Sequence, residues 1–96
     1  MKTLNLEDNK LIELQTAHKL SYKNKDTIQS STKCGCFYCL ELYDTNILTP
    51  ADFVAESDGS FTVFCPKCGI DAVIGNQYPS LSITFLKEMN DYYFHY

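Results

Sequence analysis

The chain reads as an α+β protein: a small β core organised by cysteines, with one helix before it and one after it. Three observations carry that reading. Two C-x-x-C pairs, Cys36–Cys39 and Cys65–Cys68, stand with residues 40–64 between them. Short β-prone runs lie beside each pair. Apolar residues recur at three- and four-residue steps towards both ends. The 96 residues make one domain by length. It divides into a Lys-rich helical lead-in over 1–33, the cysteine core over 34–76 and a C-terminal helix over 77–96.

Leu11, Leu14 and His18 fall at helical steps, so the spacing predicts a helix over about Glu7–Leu20. Glu7 and Asp8 near its start suit the positive end of the helix dipole. Ser30, Ser31 and Thr32 read as a polar connector into the cysteines. A short strand is expected after the first pair, around Leu40 and Leu42. At residues 49–52, Thr49 can cap a helix, Pro50 fits its first position and Asp52 its third. That short helix is expected to run through Phe53 and Val54 and to stop before the Asp58-Gly59 turn signal. Phe61–Phe64 is a β-prone run feeding the second pair, and Ala72–Ile74 is another leaving it, ended by Gly75 and Asn76. Ser82 or Thr84 can cap the last helix, whose Phe85, Leu86, Met89, Tyr92 and Tyr93 make one apolar face for the cysteine core. The aromatic run Tyr92–Tyr96 is heavier than a chain end needs, and part of it is a candidate contact surface.

Two cysteines three apart on a tight turn can point both sulfurs at one ion about 2.3 Å away. Backbone N–H groups of the turn then hydrogen-bond the thiolates and spread their charge. Gly69 supplies the left-handed position after the second pair, and Pro66 stiffens that turn; the first pair lacks such a glycine. The spacing therefore predicts a zinc-ribbon-type core in which Cys36, Cys39, Cys65 and Cys68 hold one Zn²⁺. Rubredoxin-type iron uses the same two pairs and is the alternative metal. A thioredoxin-like redox centre needs only one C-x-x-C, entering a long helix after a strand. Four protein thiolates leave no position for an activated water, so the metal's role is structural. Cys34, two residues before Cys36, is an alternate ligand in a swapped set with Cys39; its plainer role is an inert, partly buried thiol. His18 and His95 are distant in sequence from every cysteine, which argues against a Cys–His catalytic pair.

Composition bounds the functional classes. The chain is 45% hydrophobic and 21% charged, with seven Tyr, six Phe and no Trp, a globular composition. Its net charge is −4, unevenly spread: residues 1–33 carry six Lys against four acids, residues 34–96 two Lys against eight. No Arg occurs, so the residue best suited to bidentate phosphate and guanine recognition is missing, and nucleic-acid binding ranks low. Met1 leads into a polar stretch with no signal pattern, and no apolar run approaches the length of a membrane span, so a cytoplasmic chain is expected. Reducing surroundings favour cysteines as metal ligands over disulfides.

The run Lys33-Cys-Gly-Cys-Phe-Tyr-Cys39, taken with Cys65-Pro-Lys-Cys-Gly-Ile-Asp-Ala-Val-Ile-Gly75, resembles an uncharacterised family of small bacterial and phage cytoplasmic proteins of zinc-ribbon type. That family pairs a CGCFYC segment with a CPxCGIDSVIG segment and ends in a helix of the type FLKEMHxYWF. Here the end reads Phe85-Leu-Lys-Glu-Met-Asn-Asp-Tyr92, and His18, Ser21, Ile28 and Ser30 also resemble the family's lead-in, so the resemblance spans about residues 18–94. Ala72 stands where the family usually has Ser, and Asn76 where Asp is common, so an activity carried by those residues would be lost or altered here. The resemblance implies the fold and no particular activity; occurrence in phages implies a setting of host–virus conflict.

The expected function is that of a zinc-stabilised interaction module docking on a protein partner or a second copy of itself. The alternative is a small-ligand binder of nucleotide type, its site lined by His18, Ser21, Phe37, Tyr38 and Tyr78. No paired carboxylates, phosphate loop or open metal site are visible, so no enzymatic activity is expected.

Overall fold

The computed structural model describes residues 6–94, with side chains from residue 9 onward. The sequence expectations for His95 and Tyr96, and for the side chains of Glu7 and Asp8, lie outside the described residues.

Leu14 and Ala17 are buried three residues apart on α1 (Leu6–Lys19), the helix that the spacing predicts. A second helix, α2 (Lys25–Gln29), occupies part of the stretch read as a lead-in. Its five residues are too few for a periodic signal, and it is held by the fully buried Ile28. The chain then forms β1 (Lys33–Cys36), β2 (Leu42–Asp44), β3 (Phe53–Ala55), β4 (Phe61–Val63), β5 (Val73–Gly75) and α3 (Ile83–Phe94). Ser82 caps α3, its hydroxyl oxygen accepting the Phe85 N–H at 3.0 Å.

The strands make two sheets. β1 lies between β2 and β5, antiparallel to both, with Cys34 opposite Tyr43 on one side and Gly75 on the other. β3 and β4 form a separate hairpin, Phe53 opposite Val63. Here the fold departs from the helix expected through Phe53 and Val54. The start signals produce only one 3-10 turn, Pro50–Asp52, in which the Asp52 carboxylate accepts the Thr49 N–H at 2.8 Å. The next residues are β-prone and face an equally β-prone run across the turn at Asp58-Gly59, so their N–H and C=O groups pair across a hairpin.

Phe85, Leu86 and Met89 of α3 are buried with Leu14, Ala17, Ile28, Phe37, Val63 and Ile74 in one core. Gly35 lets α3 close on the sheet: a Cβ there would stand 2.8 Å from both Leu86 Cδ1 and Leu42 Cδ2. At the other end of α3, the Asn90 amide donates to the carbonyls of Phe37 (3.0 Å) and Tyr38 (3.1 Å), which ties the helix to the first C-x-x-C turn. The architecture is α+β, a zinc-ribbon-like core with flanking helices. Among the described residues no helix is long and apolar enough to cross a membrane.

Candidate metal centre

The two C-x-x-C turns are built alike. In the first, Cys36 N–H donates to Glu41 O and Leu40 N–H returns to Cys36 O; in the second, Cys65 N–H donates to Ile70 O and Gly69 N–H returns to Cys65 O, all between 2.8 and 3.0 Å. The residue after each pair is left-handed, Leu40 at φ 66° and Gly69 at φ 80°. The first turn thus reaches the same shape without a glycine, Leu40 accepting backbone strain while its side chain packs against the core. A Cβ at Gly69 would meet nothing within 4 Å. Gly69→Ala is therefore expected to cost about 1 kcal/mol through backbone conformation alone, readable as a lower denaturation midpoint with unchanged metal stoichiometry.

These turns bring four sulfurs together. Cys36 and Cys68 Sγ stand 3.7 Å apart, as do Cys39 and Cys65 Sγ, and all four lie within 4.8 Å of one another. Sulfurs bound about 2.3 Å from one ion sit about 3.8 Å apart along the edges of a tetrahedron. The set fits a tetrahedral ion, and all five cysteines are free thiols. Cys34 is fully buried on β1 and stands outside this cluster, with the Thr45 hydroxyl 3.9 Å from its sulfur. The sulfurs that cluster are thus those of the two C-x-x-C pairs. Burial pushes the Cys34 thiol up to about 11.

Backbone N–H and hydroxyl groups donate to Cys36 and Cys65. Cys36 Sγ accepts the N–H groups of Tyr38 (3.4 Å) and Cys39 (3.5 Å). Cys65 Sγ accepts the Lys67 N–H at 3.3 Å and the Tyr43 hydroxyl at 3.2 Å. Burial pushes the Cys36 thiol up despite its N–H partners. At Cys65 burial acts the same way, but the Tyr43 hydroxyl and the Lys67 N–H outweigh it and hold the thiol below its ordinary value. Burial and the neighbouring sulfur keep Tyr43 a phenol, and so a donor. With Cys36 and Cys68 both raised, they are protonated at neutral pH in the metal-free chain. Metal uptake therefore releases protons, and apparent affinity is expected to fall as pH drops from about 8 to about 6, where protons compete for the sulfurs; competition with a chelator across that range measures it.

Tyr43 went unrecognised in the sequence as a site residue. Its signal is its place on β2 opposite Cys34, which turns its ring inwards towards the second turn. Tyr43→Phe removes the donor with little change of shape, and metal affinity is expected to drop by about 10-fold to 100-fold, measured by the same competition.

Of the five residues expected to line a ligand site, His18 and Phe37 are ring neighbours (centroids 6.2 Å), Tyr38 reaches Phe37 through Phe94, and Tyr78 stands on another contact. His18 stacks on Tyr93 (ring centroids 4.2 Å), which neighbours Phe37 (6.0 Å), while Tyr38 meets Phe94 edge-on at 4.9 Å. Ser21 is buried and its hydroxyl donates to His18 O. Tyr78 lies against Phe85, its hydroxyl donating to Glu13 O. Part of the polar lead-in turns inwards: Lys23 N–H donates to Thr62 Oγ1, Asn24 bonds to Val63 and Val73, and the Ser31 hydroxyl donates to Thr27 O. No protein-family profile matches the chain, and neither a curated protein nor a solved structure matches it at a significant level.

Proposed function

We propose that the chain is a zinc-stabilised interaction module whose binding surface is the aromatic ridge beside the first cysteine turn. Zinc is the metal best suited to a closed, tetrahedral four-thiolate set with a structural role. Iron accepts the same geometry and differs by its visible absorption, which metal-loaded zinc protein lacks.

The observation that carries the docking role is the placement of the ridge. Tyr38 and Tyr92 are 47% and 46% exposed, and between them lie the half-buried Tyr93 and Phe94 and the buried Phe37. Exposed Tyr rings on a rigid base supply contact area at small entropic cost, as at protein interfaces. The base is the metal turn, pinned to α3 through Asn90, so the metal would hold the surface in shape. A Tyr38→Ser/Tyr92→Ser double variant should keep its metal and circular dichroism and lose the partner. The wild-type chain, gently purified from its own kind of host and found alone, without stoichiometric partner or second copy, contradicts the proposal.

A second reading, small-ligand binding, is favoured by an open surface cavity of about 660 Å³ lined by Gln29, Ser31, Thr32, Asn46, Leu48 and Phe53, among others. That volume lies within the usual range for small-molecule sites. Calorimetry with a nucleotide panel tests it, and absence of heat removes those ligands.

A further inference from the structure

We propose that the groove between α2 and the β3–β4 hairpin is a binding site for a small organic monocarboxylate with an apolar body, its carboxylate received by Lys25. The site begins in the strand register. Phe53 stands opposite Val63 and Ala55 opposite Phe61, so Phe53 and Phe61 are diagonal neighbours on one face of the hairpin. Lys25, the first residue of α2, lays its ammonium over both rings, 4.5 Å from the centre of Phe61 and 5.9 Å from that of Phe53. With Leu48 and Pro50 the two rings form the apolar wall of a cavity of about 410 Å³, which Lys25 also lines. That volume lies within the range of small-molecule sites.

Lys25 is the half-buried lysine without a carboxylate. Among the described residues Lys10, Lys23 and Lys33 each hold one within 3.1 Å, while Lys19, Lys67 and Lys87 are exposed to water. The ring faces return part of the hydration that the Lys25 ammonium gives up, and an anion would return more. The same surroundings set the class of ligand. Four apolar residues call for a hydrocarbon or aryl body. Its head carries a single charge, because Lys23 is already held by Asp58 at 2.7 Å and Asp26 lines the adjoining cavity together with Lys25. A phosphate monoester would bring two charges to one ammonium. The groove adjoins the cavity of the small-ligand reading through Gln29, Leu48 and Phe53, yet it stands without that reading, since nucleotides carry the phosphate charge that this groove disfavours.

The test titrates the isotope-labelled, metal-loaded full-length chain with phenylacetate and, separately, with phenylacetamide and phenyl phosphate, following backbone amide resonances. Phenylacetate should move the amides of Lys25, Gln29, Phe53 and Phe61 and bind about tenfold more tightly than the neutral amide, the factor one charge-assisted hydrogen bond supplies. Lys25→Met keeps the stem over the rings and removes the charge, so it should bind acid and amide alike at a little-changed melting temperature. Lys25→Arg should restore the preference for the acid. No movement of these resonances at millimolar phenylacetate, equal binding of acid and amide by the wild-type chain, a preference that survives Lys25→Met, or tighter binding of phenyl phosphate overturns the assignment. Heat from a nucleotide with no response to phenylacetate would uphold the neighbouring cavity's reading and overturn this one.

Discussion

Chelation is expected to unfold the cysteine core: in strong chelator, residues 34–76 should lose their strands and the circular dichroism spectrum should change. The first turn joins β1 to β2, and the second joins the β3–β4 hairpin to β5. An ion shared by the four sulfurs would clamp one turn to the other, beside the Phe37 N–H bond to Ala72 O (2.9 Å) and the Asn24 bonds that also join the two sheets. Structural zinc contributes about 10–16 kcal/mol of apparent binding energy, against a net stability of about 5–15 kcal/mol for an ordinary domain. Removing it leaves two facing turns whose sulfurs have no common centre. Cys65→Ser should act in the same direction, since it removes a ligand and the acceptor of the Tyr43 hydroxyl together. A metal-free mass with an unchanged spectrum would refute this dependence.

Asn24→Ala is expected to destabilise the metal-loaded protein by about 2–4 kcal/mol, the cost of leaving two buried backbone groups without partners. Asn24 is 3% exposed and precedes α2, in the position where a side chain ordinarily caps the helix. It makes no cap bond. Its amide instead donates to Val73 O at 2.8 Å, and its oxygen accepts the Val63 N–H at 3.0 Å. Val63 lies on β4 and Val73 on β5, so this one side chain ties the hairpin to the three-stranded sheet. For a domain of this size the loss lowers the melting temperature by about 10 °C or more. Ser30→Ala, which removes only an exposed bond to Asp26 O, should change it little. Equal effects from the two substitutions would show that Asn24 is not the tie.

What the sequence made legible was whatever its chemistry keeps local. Each cysteine pair fits in four residues and fixes its own turn, so the four-sulfur set could be read before any fold was known. α3 announces itself by the spacing of Phe85, Leu86 and Met89, all of which are buried. The signals at Thr49–Asp52 were real but produced a single turn, because the residues after them found strand partners eight and ten positions away. α2 is too short to show a period, and it depends on Ile28 and on contacts with β4 and β5. Tyr43, Asn24 and Thr62 were missed for a different reason. Their polar atoms meet partners 22 to 49 residues distant, which only folding brings near. The polar lead-in looked like a ligand surface for that reason: part of its hydrogen bonding turns inwards to the strands.

Native mass spectrometry with elemental analysis, on full-length chain prepared without added metal, tests the central claim most directly. The expected result is one Zn²⁺ per chain, retained by Cys34→Ser and lost by Cys36→Ser and by Cys65→Ser. Iron in its place, a metal-free folded chain, or metal that survives both ligand substitutions would contradict it.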